Sequence, residues 1–330
     1  MATRLTTLED GDLFSDACAS IVIRALNGLA VRAPRREAKG IAALLGTLRL
    51  RLRPREARAV RGNLALLKAS RGSAPGDRVE ESAVRSVFRS WALFVVEFFC
   101  GLEMPPEEIS SGWTITGEEH LAFLRDARKG FILATAHTGN WEHLRAIGWR
   151  YGRRILSPAG IQFHGALSRA VKASKARQGV LSTSPENGMR ALAVALAEGQ
   201  IVGLPFDGSS FRRGIIVPFL GMDCAFPAGP ARLAMLTGCP IVPIFARRTG
   251  FLRQEVRIGV PLYARAEEGA HGNAHAHGNA ARTRASEARR LTAQLAQQLA
   301  AHLEMAADQW CIFRPITHAG SEGASRPPQR

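Results

Sequence analysis

The sequence predicts an α/β protein in which helices flank a central mixed sheet, with helical additions at the N and C termini. After Gly117, short apolar runs typical of buried strands alternate with helical segments. Most of these helical segments stop at a glycine, the residue that most readily closes a helix in a left-handed conformation. Residues 1 to about 115, in contrast, are patterned as helices.

The N-terminal region, residues 1–115, contains a strongly basic segment. Between positions 24 and 61, eleven basic residues stand against two acids. The apolar residues that run between them are Leu44, Leu45, Leu48 and Leu52. A basic amphipathic helix of this kind docks on an anionic bilayer, although the same pattern also suits an ordinary solvated helix. Residues 71–77 predict a loop, and the apolar residues 79–100 predict a core helix.

Residues 116–318 are expected to form the α/β core, in one domain with the N-terminal part. Helices are predicted at 118–129, 140–151, 163–178, 186–198 and 229–236. Strands are predicted from Phe131, near Ile155, and at 201–206, 215–221, 241–246 and 252–260.

The C-terminal part of the chain begins with a histidine-containing near-repeat at 267–280. Its small and polar residues favour a mobile surface loop over a metal site, and we expect no metal. The alanine- and glutamine-rich residues 291–305 predict a helix. Residues 319–330 are expected to be a disordered tail.

Charge and cysteine usage narrow the class of protein. The net charge of +16 favours anionic partners, whether phospholipid, nucleic acid or an acidic protein. The five cysteines form no C-x-x-C pair, which argues against a disulfide framework or zinc module and fits a reducing compartment. The N terminus shows no secretory pattern. Arg24 and Glu97 interrupt the longest apolar segments, so we expect no membrane-spanning helix.

A histidine follows the apolar run that starts at Phe131. His137 stands where the strand should end, and Glu142 falls in the first turn of the next helix. Ligands of open α/β sheets bind at the carboxyl ends of the strands, and an acid beside an imidazole is typical of general base catalysis. The same residues also fit a buried structural histidine and an acid that complements a helix dipole.

Asp207 ends a second buried strand, so its side chain should project into the same crevice as His137. The glycine- and serine-rich loop that follows carries Arg212 and Arg213, which suit a phosphate or carboxylate. A capping aspartate with solvated arginines is the alternative. The sequence contains no G-x-S-x-G, P-loop or G-x-G-x-x-G motif. A histidine–acid pair without a protein nucleophile suits a base that activates a hydroxyl of the substrate.

An ordered set of motifs resembles the lipid A biosynthesis (lauroyl/myristoyl type) acyltransferase family and the related phosphatidylinositol-mannoside acyltransferases. The first is A-H-T-G-N-W-E at 136–142, which has the family's H-x4-[D/E] form. The others are Asn63-Leu64, V-V-E ending at Glu97, and the runs at 199–207, 213–221, 228–234, 238–243 and 308–310. The resemblance covers about residues 20 to 316.

The resemblance implies a glycerolipid-acyltransferase-like fold and a role for each matching residue. His137 would be the general base that deprotonates an acceptor hydroxyl, and Glu142 would orient it and stabilise its charge. Asp207 matches the acid after the second strand. Arg177 would bind phosphate or the tetrahedral oxyanion, and Asn140 would position the turn or donate to the acyl intermediate.

The implied activity is transfer of a fatty acyl chain to a hydroxyl of a membrane glycolipid. No cofactor is implied, and the co-substrate would be a thioester of acyl carrier protein or coenzyme A. The expected location is the cytoplasmic face of the bacterial inner membrane, in peripheral contact with anionic lipid. A lysophospholipid or a mannosylated phosphatidylinositol is an alternative acceptor. A membrane-binding scaffold without catalysis is an alternative of a different class. A nucleic-acid-binding protein fits the charge, but no recognition motif supports nucleic acid as a partner.

Overall fold

A computed structural model of the chain describes residues 35–74, 77–125, 130–158, 165–183, 188–208, 214–265 and 274–316. Arg212, Arg213 and the predicted tail at 319–330 lie outside these ranges, as do residues 1–34. No described helix is both long enough and apolar enough to cross a bilayer.

The centre of the molecule is a mixed seven-stranded sheet, which confirms the predicted fold class. The strands are β1 (Trp113–Thr116), β2 (Phe131–Thr135), β3 (Ile155–Pro158), β4 (Val180–Thr183), β5 (Ile201–Pro205), β6 (Ile215–Phe219), β7 (Met222–Phe226), β8 (Ile241–Gly250) and β9 (Arg253–Ile258). Seven of these nine described strands form the sheet, in the order β1-β9-β8-β2-β5-β3-β4. The other two, β6 and β7, form a separate hairpin. Only β8 and β9 pair antiparallel among the described strands of the large sheet.

Helices cover both faces of this sheet. They are α1 (Arg35–Leu52), α2 (Pro54–Ala69), α3 (Glu81–Glu103), α4 (Pro106–Ser111), α5 (Ala146–Arg150), α6 (Gly165–Arg177), α7 (Gly188–Ala197), α8 (Gly229–Thr237) and α9 (Ala274–Ala306). Side chains of β2 alternate between the two cores. Ile132 and Ala134 pack with α7, α8 and α9, while Phe131 and Leu133 pack with Leu144 and its neighbours on the opposite face.

The sequence did not predict strands β1, β4 and β7, and three further features of the core differ from the prediction. The helix predicted at 118–129 is a 3-10 helix over Glu118–Arg125, as far as the chain is described. The helix predicted at 140–151 is a 3-10 turn, Trp141–Arg145, followed by α5. The loop predicted at 267–280 is wrong from Ala274 onward, because the backbone there already belongs to α9. The alanines in that stretch have the highest helix propensity of any residue.

The N-terminal helices are joined to residues 312–316 by Asn63 of α2. Its Nδ2 donates to the backbone carbonyls of Ile312 and Arg314 at 3.2 and 2.9 Å, and its Oδ1 accepts from the backbone N–H of Ile316 at 3.1 Å. Asn63 is 3% exposed, so these hydrogen bonds satisfy an amide that would be costly to bury alone. The bonds fix the segment that follows Trp310.

Candidate active site

His137 and Asp207 leave the carboxyl ends of two adjacent parallel strands. The register of β2 on β5 pairs Thr135 with Pro205. His137 and Asp207 each stand two residues beyond that pair, so they emerge side by side. The His137 side chain is 30% exposed, whereas the Asp207 side chain is fully buried. The imidazole therefore lies at the surface of the crevice and the carboxylate lies beneath it.

Asp207 holds His137 through two hydrogen bonds. Nδ1 of His137 lies 2.6 Å from Oδ1 of Asp207, and Oδ2 accepts from the backbone N–H of His137 at 2.8 Å. Oδ2 also accepts from Nε1 of Trp310 at 2.9 Å. An ionised carboxylate only accepts, so this geometry assigns the proton to Nδ1 and leaves Nε2 as the basic nitrogen.

The pKa values of the pair move apart. Burial alone would lower the pKa of His137, but the charge and hydrogen bond of Asp207, with the charge of Glu142, outweigh it and raise that pKa. Burial alone would raise the pKa of Asp207. The charge of His137 and the hydrogen bonds from His137 and Trp310 outweigh burial, and the pKa is lowered. Asp207 is thus ionised and stabilises a protonated imidazole.

Glu142 does not have the orienting position predicted for it. The partner of Nδ1 is Asp207, supplied by the neighbouring strand, and the Glu142 carboxylate lies 2.6 Å from Nζ of Lys175 in α6. Both side chains of that ion pair are nearly buried, at 13% and 12% exposed. Glu142 still acts on His137 through its charge. The carboxylate that contacts Nδ1 therefore comes from the neighbouring strand β5 and not from the turn that follows His137 along the chain.

Asn140 positions the turn after His137. Its Oδ1 accepts from the backbone N–H of His143 at 3.3 Å, which caps the 3-10 helix, and its Nδ2 lies 3.3 Å from a carboxylate oxygen of Glu97. Asn140 is 2% exposed. Of the two roles that the sequence left open, the structure therefore favours positioning of the turn.

A buried ion pair lies beneath this turn. Glu97 of α3 and Arg248 of β8 are 2.9 Å apart, with side chains 2% and 6% exposed. Arg248 also donates to the carbonyl of Gly139 at 3.3 Å. Gly139 has φ +56°, and a Cβ there would lie 2.6 Å from the carbonyl oxygen of Ala246, so the turn requires glycine.

The C-terminal segment completes the site. The backbone N–H of Cys311 donates to the carbonyl of His137 at 2.8 Å, and Thr138 forms an antiparallel bridge with Trp310. Gln309 and Arg248 exchange two hydrogen bonds, of 2.7 and 3.0 Å. The D-Q-W motif thus places the indole N–H on Asp207.

Aromatic rings extend from His137 along α3. Trp141 meets the imidazole edge to face, with centroids 4.9 Å apart, and stacks on Phe94 at 3.7 Å. Phe98 follows at 6.0 Å from Phe94 and packs with Leu102 of α3 and Val171 of α6. An apolar wall therefore begins at the histidine.

The structure describes one of the three predicted arginines, Arg177, and its ion pair is with a residue outside the His137–Asp207 pair. Arg177 lies at the end of α6 with a side chain 63% exposed, and its partner is Glu103 at 3.3 Å. Arg212 and Arg213 fall outside the described chain. Within the described ranges no group of three or more His, Cys, Asp or Glu residues could hold a metal.

Sequence reasoning missed two residues that shape the site, Lys175 and Arg248, and gave no role to Trp310, although the D-Q-W motif contains it. A signal existed for Arg248, since Glu97 is a charge inside an apolar helix and a buried charge requires a partner. Nothing in the linear sequence identified Lys175 as the partner of Glu142.

Comparisons with known proteins agree with the motif pattern. A family model described as bacterial lipid A biosynthesis acyltransferase matches residues 13–316. Phosphatidylinositol mannoside acyltransferase of Mycolicibacterium smegmatis is 27% identical over 179 residues, which are 52% of this chain and 58% of that protein. The aligned region thus spans less than two thirds of that relative.

One solved structure that resembles the chain is the 1-acyl-sn-glycerophosphate acyltransferase PlsC of Thermotoga maritima. The TM-score is 0.37 with 10% identity, over 82% of this chain and 98% of that one.

Proposed function

We propose, since the chain belongs to the bacterial lipid A biosynthesis acyltransferase family, that it transfers a fatty acyl group from a thioester to a hydroxyl of a membrane glycolipid. The observation that carries this proposal is the hydrogen bond between Nδ1 of His137 and buried Asp207, with the imidazole reaching solvent. That arrangement is a general base without a protein nucleophile beside it in the described site.

The reaction follows from the position of the proton on His137. Nε2 accepts the proton of the acceptor hydroxyl while the hydroxyl oxygen attacks the thioester carbonyl. The imidazolium that forms is stabilised by the Asp207 carboxylate. When the tetrahedral intermediate collapses, the carbon–sulfur bond breaks and Nε2 returns the proton to the departing thiolate. An ester and a free thiol result, and no acyl-enzyme is formed.

The surroundings of His137 suit these substrates. In this wall, the partly exposed rings of Trp141 and Phe94 offer an apolar surface to a fatty acyl chain, and Phe98 is buried beside Phe94. We propose a thioester of acyl carrier protein or coenzyme A as the donor and no other cofactor. We expect the site to lie at the cytoplasmic face of the inner membrane, because the anionic lipid of that surface attracts a basic protein.

A second acceptor is favoured by one comparison. The mycobacterial relative is named for a phosphatidylinositol mannoside, so a mannosylated lipid is the alternative acceptor for this chain. The same base and the same thioester chemistry serve either sugar hydroxyl. The two proposals differ only in the headgroup that the crevice admits.

The test is thioester consumption by the purified protein in micelles that contain extracted membrane lipid, with each donor in turn. His137→Ala should abolish lipid-dependent thiol release, while Glu103→Gln, which removes the exposed partner of Arg177, should leave it unchanged. Mass spectrometry of the acylated product then names the acceptor. Full turnover by a folded His137→Ala variant would contradict the proposal, as would an acyl group retained on the protein.

A further inference from the structure

Lys175 is a nearly buried lysine beside the site, and the reaction proposed above does not use it. It lies in α6 with a side chain 12% exposed, and its Nζ stands 2.6 Å from a carboxylate oxygen of Glu142. Nζ also lies 5.8 Å from the centroid of the Phe98 ring, within the range of a cation–π contact. A lysine is rarely buried unless it is paired, so the carboxylate of Glu142 is the group that keeps Lys175 in this position.

Helix α6 is held against the end of α3, which fixes the backbone that carries Lys175. Nε2 of Gln178, the residue that follows α6, lies 2.9 Å from the carbonyl oxygens of both Gly101 and Leu102. The hydroxyl of Ser174 also donates to the carbonyl of Leu102. These contacts satisfy carbonyls in the last turn of α3, which lack partners within their own helix. The Lys175 side chain therefore reaches Glu142 from a fixed base.

Glu142 is held from two sides. Lys175 pairs with its carboxylate, and its backbone carbonyl accepts from Nη1 of Arg145 at 2.7 Å. Arg145 is 5% exposed, and burial lowers the pKa of its guanidinium to about 10, so it is still charged at neutral pH. The Glu142 carboxylate thus faces Lys175, while Nδ1 of His137 has Asp207 as its partner.

We propose that Lys175 is a positioning residue for the general base: by pairing with Glu142, it holds that carboxylate off the imidazole of His137 and balances its negative charge. Nδ1 is then left to Asp207, and Nε2 is left to the acceptor hydroxyl. The inference rests on the proposed function, because it gives Lys175 a part in the action of His137 as a base. It adds a second ion pair that sets the pH at which this base works.

The two members of the ion pair should affect the pKa of His137 in opposite directions. The charge of Glu142 raises this pKa, so loss of its counter-charge in Lys175→Met should raise the pKa further. Glu142→Gln removes the negative charge and leaves the ammonium unbalanced, so the pKa should fall. Neutral imidazole is the active form. The acidic limb of kcat/KM should therefore move to higher pH in Lys175→Met and to lower pH in Glu142→Gln.

The other charged or titratable groups that the described elements bring around His137 and Glu142 stay in place in these variants. They are Asp207 after β5, Glu97 of α3, Arg248 of β8, and His143 and Arg145 of the 3-10 turn. Glu97 and Arg248 form an ion pair of their own. Burial lowers the pKa of His143 well below its ordinary value, so this imidazole stays uncharged. A shift of the acidic limb then reports on the Glu142–Lys175 pair.

The test is an NMR titration of the His137 imidazole in the free protein, with the pH profile of thiol release measured alongside. Lys175→Met should move the titration midpoint up and Glu142→Gln should move it down, each by about half a pH unit or more. The double variant Lys175→Met/Glu142→Gln should titrate close to wild type. Lys175→Arg keeps the charge, and Lys172→Met makes the matched change at an exposed lysine of α6, so both should also titrate close to wild type.

Movement of both single variants in one direction would overturn the inference, because loss of packing alone does not produce opposite signs. An unchanged midpoint in folded Lys175→Met would overturn it too, as would an equal shift in Lys172→Met. If Lys175→Met does not fold, Glu142→Gln and the double variant decide, since addition of Lys175→Met must then move the midpoint back up.

Failure of this inference is distinguishable from failure of the proposed function, because the titration requires no substrate. Absence of turnover by the wild type would count against acyl transfer. It would leave the measured coupling between Lys175, Glu142 and His137 as a separate result.

Discussion

Replacement of Asp207 by asparagine removes the charge beneath His137 and keeps the side-chain shape. In the wild type, Oδ1 accepts from Nδ1 at 2.6 Å and Oδ2 accepts from Trp310 at 2.9 Å. An asparagine that keeps its oxygen toward Trp310 presents its NH2 group to Nδ1. The imidazole then carries its proton on Nε2, which is the wrong tautomer for a base that must accept a proton there.

The expected loss is large for two reasons. A buried hydrogen bond to a charged group contributes about 1.5 to 3 kcal/mol, which corresponds to roughly 10- to 150-fold in rate if it is lost from the transition state. Inversion of the tautomer adds to this, and the same substitution in a serine protease triad lowers kcat by about 10⁴. We therefore expect Asp207→Asn to lower kcat/KM by about 10² to 10⁴.

The pH profile gives a second readout with a definite sign. Neutral imidazole is the active form, so wild-type activity should fall as the pH drops through the raised pKa of His137. In Asp207→Asn the main effect that raised this pKa is gone and burial still lowers it. The acidic limb of kcat/KM should then move to lower pH while the plateau falls.

The assay is initial-rate thiol release across the pH range, with Asp223→Asn as a control at an exposed acid of the β6–β7 hairpin. Thermal unfolding confirms that each variant is folded. An unchanged plateau for folded Asp207→Asn, or an acidic limb that moves to higher pH, would refute the reasoning.

Three further substitutions test the supports of the site. Trp310→Phe removes one donor to Asp207 and should lower kcat/KM by about tenfold, with about 1 kcal/mol of stability lost in urea unfolding; unchanged kinetics would show that the indole N–H plays no part. Glu97→Gln leaves Arg248 buried without its full counter-charge, so it should lower the free energy of unfolding in urea by about 3 kcal/mol or more. Replacement of both Glu97 and Arg248 by apolar residues should be less harmful than this single substitution. Gly139→Ala should destabilise by at least about 1 kcal/mol and reduce turnover, because φ is +56° and the added methyl meets a backbone carbonyl; a wild-type melting curve would contradict this.

Features that depend on burial and strand order could be predicted from the sequence. Buried parallel strands read as continuous apolar runs, so β2 and β5 could be found from composition, and the polar residues just beyond them had to meet at one edge of the sheet. This is why His137 and Asp207 were both selected. The four-residue edge strand β1 was missed because its residues alternate between half-buried and exposed and form no apolar run.

The partner of His137 could not be chosen from linear spacing. Glu142 is five residues away and Asp207 is seventy, yet the hydrogen bond across adjacent strands is the one that forms. The choice depends on the rotation of the turn after Gly139, which is set by Asn140 and by the buried Glu97–Arg248 pair. These contacts join residues that are up to 151 positions apart, and no local pattern encodes them.

The measurement that tests the central claim most directly is the proton NMR signal of the His137 Nδ1–H, followed in wild type, Asp207→Asn and Glu142→Gln. If Asp207 is the partner of His137, wild type shows a strongly deshielded imidazole proton that persists in Glu142→Gln and disappears in Asp207→Asn. A signal that persists in Asp207→Asn and disappears in Glu142→Gln would contradict the account and return the orienting role to Glu142.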